Sequence, residues 1–160
     1  GRVKMATRKL RGINIAYFGF QNKINEKVGS PTPDTKIFLG EDGSIDFNLK
    51  CSVNFGNVFQ KLLEEDNWYL YLTVLSEESA LEEQIYLDQI YGPIPNEIGT
   101  VTFGAGFPVH IDGKLIKRNN IRSLDVELAI TTKTDKDQDF NSAVKDGCFF
   151  KTIIPIWSGN

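Results

Sequence analysis

The chain has 160 residues, 41% of them hydrophobic and 24% charged, with a formal net charge of −3 at pH 7. That length and balance describe one globular domain, able to bury roughly two thirds of its unfolded surface without metal or disulfide staples. They exclude a disordered chain, and no apolar run approaches the roughly 18 to 20 residues of a membrane-spanning helix.

The charge is unevenly spread. Arg2, Lys4, Arg8, Lys9 and Arg11 all precede the first acid, Glu26, and the rest of the chain sets 13 bases against all 21 acids. Residues 1–12 therefore read as a flexible basic arm, ahead of a single acidic, β-rich domain over 13–160. An acidic body speaks against nucleic acid as a partner except through that arm, because phosphate binding needs dense Lys and Arg. The plainer reading of the arm is a solvated end. Met5 is the only methionine; read as the natural start, it makes residues 1–4 additions and the protein cytoplasmic. The other reading is an exported protein whose signal has been removed ahead of Gly1.

Ile13 to Phe20 is apolar on both sides of the pleat, which predicts a well-buried first strand with Gly19 at a bulge or close contact. Residues 22–34 have loop composition. Asp42-Gly43 predicts a hairpin turn between Ile37–Leu39 and the cleanest strand in the chain. From Ile45 to Phe55 the apolar Ile45, Phe47, Leu49, Cys51, Val53 and Phe55 alternate with Asp46, Asn48, Lys50, Ser52 and Asn54, so one face is buried and the other is wet or meets a partner.

Val58, Phe59, Leu62 and Leu63 then recur at helical spacing, with Asn57 as cap and Gln60 completing a capping box, and the helix ends near Asp66. Asn67 to Leu75 is apolar on both faces, as a central strand is. Ser79 and Glu82 predict a helical turn followed by a strand to Tyr91, which Gly92 to Asn96 breaks. Thr100 to Ile111 alternates but carries Gly104, Gly106 and Pro108, the marks of an edge or bulged strand. Asp112-Gly113 turns it into Lys114 to Ile116. Ser123 to Thr131 alternates cleanly, 132–141 is polar loop, and Asp146-Gly147 turns into a closing strand from Cys148 to Trp157. The sum is an all-β fold: an antiparallel β-sandwich (jelly-roll or Ig-like) or barrel, with one or two short helical insertions.

Candidate chemistry is sparse. Asp135, Asp137, Asp139 and Asn141 place oxygen ligands at every second position, a pattern that suits calcium. The run resembles the front half of an EF-hand loop and the aspartate-rich loops of calcium-binding β-sandwiches. It departs from the EF-hand in carrying Phe140 where that loop needs Gly, and in having no closing Glu. A solvated polar loop is the plainer reading, and no other cofactor is implied. Cys51 and Cys148 fall on strands and read as reduced core thiols in a cytosolic chain, or as one bridge in an exported one. His110, the sole histidine, stands two residues before a turn with no motif around it. Asp125 and Glu127 share a strand face, where a carboxylate pair for hydrolysis would sit. Tyr69 and Tyr71, if turned to solvent, make a platform for a sugar ring or a protein partner.

These residues support a non-enzymatic binding or assembly module with a protein or carbohydrate partner. Three alternatives stand beside it. One is a self-assembling, homo-oligomeric coat-like subunit, since a basic arm precedes the sandwich of jelly-roll coat proteins. A second is a lipocalin-like carrier, although the Gly-x-Trp of that family is absent where Gly19 is followed by Phe20 and Gln21. The third is a hydrolase resting on Asp125 and Glu127.

Overall fold

Ile45–Phe55 forms the strand that its alternation predicts: each apolar residue of the run is buried, and each polar residue between them is at least partly exposed. The structure is a computed structural model describing residues 12–27, 29, 33–79, 82–132 and 147–157, with side chains described for all of these except 77–79 and 82–88. In chain order the elements are β1 (Ile13–Asn22), α1 (Lys23–Lys27), β2 (Ile37–Phe38), β3 (Ile45–Phe55), α2 (Asn57–Glu65), β4 (Tyr69–Ser79), β5 (Glu82–Tyr91), β6 (Thr102–Ile111), α3 (Gly113–Asn119), β7 (Ser123–Thr131) and β8 (Cys148–Trp157).

The strands make two sheets, a three-stranded one ordered β1-β3-β6 and a five-stranded one ordered β2-β8-β7-β4-β5. Every pairing is antiparallel except that of the short β2 with β8. The sheets share no strand and their inner faces fill one core, so the all-β expectation resolves to a sandwich and the barrel alternative falls away. Phe47, Leu49 and Phe107 of the first sheet pack with Leu72, Leu124 and Leu128 of the second. Aromatic pairs cross the gap, with Phe18 and Phe150 centroids 5.1 Å apart and Tyr91 set edge-on to Phe107 at 4.4 Å. Burying these side chains contributes roughly 1.5–3 kcal/mol each.

The first strand is not apolar on both faces, as its sequence predicts. Its pairing with β3 steps by two residues between Ile15 and Tyr17 while β3 steps by one, a bulge that leaves Ala16 as the extra residue. The bulge reverses the phase, so Ile13, Ile15, Phe18 and Phe20 all face the core. Tyr17, now out of phase with them, is 47% exposed on the opposite side. Without Ala16, the run from Ile13 to Phe20 alternates inward and outward with no error. Deleting Ala16 is therefore expected to keep every inward side chain in register and to shift stability by no more than about 1 kcal/mol, whereas deleting Phe18 also removes the bulge but turns Tyr17 inward in place of Phe18, burying a phenol hydroxyl where Phe18 met Phe150, at a cost of about 1–3 kcal/mol. Thermal melts of the two deletions distinguish these outcomes.

Four other expectations are corrected. Ser79 and Glu82 do not cap a helix; they are cross-strand partners where β4 hands over to β5. A capping box and a cross-strand pair use the same residue types, and here the pairing of β5 along β4 decides between them. Asp112-Gly113 does not turn into a strand. Asp112 caps α3, its carboxylate accepting from Lys114 N–H at 2.8 Å. A tight hairpin could not serve here because β6 and β7 belong to different sheets, and α3 carries the chain across, with Ile116 closing that end of the core. Gly113 abuts the preceding turn so closely that a Cβ would lie 2.5 Å from the Asp42 carbonyl oxygen.

The Asp42-Gly43 turn forms, with Gly43 at φ +79° and a bridge from Leu39 to Ile45, but β2 leaves it for the other sheet. The turn is thus a corner between sheets. Finally, Gly56 rather than Asn57 is the N-cap of α2, and Gln60 donates through Nε2 to the Phe55 carbonyl at 3.0 Å. This helix seals the opposite end of the sandwich, where Phe59 stacks on Phe55 at 5.4 Å and meets Trp68 at 4.9 Å. The Trp68 indole N–H also donates to the Leu62 carbonyl near the helix end, at 3.1 Å.

Candidate functional site

The polar residues of β3 define the outer face of the three-stranded sheet. Across from Asp46, Asn48, Lys50, Ser52 and Asn54 on β6 stand His110, Pro108, Gly106, Gly104 and Thr102. On the other side, Gln21, Gly19 and Tyr17 of β1 stand opposite Asn48, Lys50 and Ser52. The face is therefore stepped. A ring rises from β1, short polar groups line β3, and the middle of β6 is almost bare backbone.

Tyr17 does not stand upright. Its phenol end lies over Gly19, whose missing Cβ would sit 2.5 Å from the Tyr17 hydroxyl oxygen and 2.9 Å from Cζ. Glycine at that position is what lets the ring lie along the strand. Beside the ring is a groove of about 160 Å³, lined by Tyr17, Gly19, Gln21, Asn48, Lys50 and Glu26, with Phe20 and Pro33 completing its wall. Asn48 donates through Nδ2 to Glu26 Oε2. Further along the face, Asp46 Oδ1 lies 2.7 Å from His110 Nδ1 and 4.0 Å from Lys23 Nζ. Because a carboxylate offers only lone pairs, the imidazole nitrogen facing Asp46 is the one that carries a proton. These groups are exposed, so their pairing fixes orientation more than it stabilises the fold.

A buried polar clamp positions the rim. Asn22, 1% exposed, receives Phe38 N–H on Oδ1 at 2.9 Å and donates through Nδ2 to Asp34 Oδ2 at 3.0 Å and to the Lys36 carbonyl at 2.9 Å. Its backbone N–H also donates to Asp34 Oδ2, at 2.7 Å, and Asn25 of α1 donates to Asp34 Oδ1 at 2.8 Å. The end of β1, the short helix bearing Glu26 and the segment leading into β2 are thereby tied together beside the groove.

The residues singled out from sequence lie elsewhere or apart. Tyr71 is 1% exposed, packed with Ala129 in a small cluster that the half-buried Tyr69 flanks. The two do not present a common exposed platform. Asp125 and Glu127 are on the outward side of β7, and Glu127 pairs with Lys151 at 2.9 Å. His110 belongs to the other sheet and does not join them. The calcium candidates Asp135, Asp137, Asp139 and Asn141 lie outside the described residues, as does the arm up to residue 11. Among the described residues there is no group of three or more His, Cys, Asp and Glu side chains able to hold a metal, and no helix long and apolar enough to cross a membrane.

Cys51 and Cys148 are free thiols on strands of different sheets. Burial pushes the Cys51 thiol up from 9.0 to about 11, and burial is also the chief cause of the upward shift of Cys148. The folded protein thus holds a proton that the unfolded chain releases first. The stability this contributes is complete below the unfolded value and is lost as pH rises toward the folded one. Urea midpoints are expected to fall more steeply between pH 8 and 10.5 in the wild type than in Cys51→Ala; parallel slopes would contradict the assignment.

Sequence reasoning missed Tyr17, Gln21 and Glu26. The available signal was the error in alternation around Ala16, which marks a bulge and with it an outward ring. No protein-family model matches this chain, and no curated protein sequence matches it.

Proposed function

We propose that the chain is a non-enzymatic binding module, recognising a protein or carbohydrate partner through the outer face of its three-stranded sheet. The observation that carries this reading is the Ile15/Tyr17 bulge, which sets an aromatic ring on an otherwise polar face beside a groove. The core does not need that ring, since the inward residues are satisfied without it. Bulges recur beside functional sites because they re-aim a side chain.

Other readings gain less support. A carrier needs interior space, and the gap between these sheets is filled by Phe47, Leu49, Leu72, Phe107 and Leu128, all at 1% exposure or less. A hydrolase resting on Asp125 and Glu127 would have to work with Glu127 held by Lys151.

The test screens the wild-type chain and Gly106→Val against a printed glycan array and a displayed random-peptide library. A Cβ at Gly106 has its nearest neighbour, the Leu49 carbonyl oxygen, at 4.0 Å, so valine fits the strand while crowding the face. Ligands bound by the wild type and lost in Gly106→Val are the expected result. The absence of any such ligand from both libraries would overturn the reading.

A further inference from the structure

We infer that the groove beside Tyr17 takes a neutral saccharide, one sugar ring of which seats against the Tyr17 phenol. This rests on the reading of the outer face as a recognition surface and adds the ligand's chemistry.

Charge is the first argument. The groove wall carries one cation, Lys50, and one carboxylate, Glu26, together with the amides of Asn48 and Gln21. A phosphate or carboxylate ligand would accept from Lys50 but face Glu26, while a cationic ligand would meet the reverse conflict. A hydroxyl donates one hydrogen bond and accepts two, and amides likewise do both, so a polyhydroxylated neutral ligand matches this mixed set.

Size and shape are the second. At about 160 Å³ the groove is smaller than the roughly 300–1,000 Å³ of sites for drug-sized ligands, and suits a single ring. Tyr17 supplies an apolar surface, 47% exposed, against which the C–H face of a sugar can pack. Past Lys50 the bare backbone of Gly106 and Gly104 leaves room for further sugar units to run across the sheet.

The position of the groove argues against an added peptide strand. Extended peptides gain affinity from the unpaired backbone of a sheet edge. β1 is the edge strand of its sheet, but beside this groove one side of its backbone is paired with β3 and the other is met by Asp34, whose N–H donates to the Phe20 carbonyl at 2.9 Å. What the groove offers a ligand is side chains.

The experiment titrates the full chain with neutral methyl glycosides of glucose, galactose, mannose and N-acetylglucosamine by calorimetry and NMR, alongside sialylated and sulfated saccharides, at low and high salt. At least one neutral glycoside is expected to bind. Its affinity should change less than about twofold with salt, since no charged ligand is screened. Tyr17→Ala should weaken it by about tenfold or more with an unchanged melting temperature, and Tyr17→Phe by no more than about threefold. Binding restricted to the acidic saccharides, with steep salt dependence, would overturn the inference. So would displayed peptides as the only ligands lost in Gly106→Val, although the recognition surface itself would then stand. If nothing bound depends on Tyr17 or Gly106, both conclusions fail together.

Discussion

Replacing Asn22 with leucine is expected to lower stability by about 3 kcal/mol and the melting temperature by roughly 6–12 °C. The side chain is buried, and its three hydrogen bonds serve Asp34, the Lys36 carbonyl and the Phe38 N–H. Leucine has nearly the same size but leaves the Lys36 carbonyl and the Phe38 N–H without this partner, while Asp34 loses one of its three donors and keeps the residue-22 backbone N–H and Asn25. Unpaired buried polar groups cost about 1–3 kcal/mol apiece, which outweighs any gain from added apolar surface. Asn22→Asp separates the terms. It keeps an acceptor for Phe38 but sets a second carboxylate against Asp34, so the defect should deepen at neutral pH and shrink in acid, where the new carboxyl can be protonated and donate. Chemical unfolding of both variants at pH 4 and pH 7 reads this out; equal defects at the two pH values would contradict the clamp as described.

Phe59→Ala is expected to cost about 3–5 kcal/mol, the range for removing a fully buried aromatic side chain. Phe59 is 0% exposed and lies between Phe55 and Trp68, in the cluster that closes one end of the sandwich. The backbone of Gly12 presses on it too closely to allow any side chain there, a Cβ on Gly12 falling 2.7 Å from the Phe59 Cβ. A cavity at this point exposes Trp68 on one side and removes the contact that docks α2. Urea unfolding followed by Trp68 fluorescence, with Trp157 changed to Phe so that a single indole reports, should show a lower midpoint and an unchanged slope. Phe59→Leu, which keeps most of the volume, should cost far less, and similar losses for the two variants would show that the site is not packed as described.

The elements legible from sequence were those whose burial pattern is unbroken along the chain itself, whether one face is buried or, as in Tyr69 to Leu75 of the central β4, both. Ile45–Phe55 and Ser123–Thr131 both fall on the strands that their alternation marks. What failed depended on partners distant in sequence. The letters Ser79 and Glu82 fit a helix start as well as a strand pair, and the pairing of β5 along β4 decided. Asp112-Gly113 has the composition of a hairpin turn, but a hairpin joins neighbours in one sheet, and β6 and β7 are not in one sheet. The site was half visible. Its β3 side, Asp46 to Asn54, was legible as a wet face. Its β1 side was hidden because one bulged residue, Ala16, made Ile13 to Phe20 look apolar all round and concealed the outward turn of Tyr17. Glu26 was hidden for another reason: its place at the groove is fixed by partners distant in sequence, the Asp34 clamp on Asn22 and Asn25 and the amide of Asn48.

The central claim is that Tyr17 is held on the surface for recognition and contributes little to folding. The most direct measurement compares wild type, Tyr17→Phe and Tyr17→Ala for melting temperature and for binding to any array glycan that Gly106→Val fails to bind. The expected result is three melting temperatures within about 2 °C of one another, binding retained in Tyr17→Phe and lost in Tyr17→Ala. A large drop in melting temperature for Tyr17→Ala, or glycan binding that survives the loss of the ring, would contradict it.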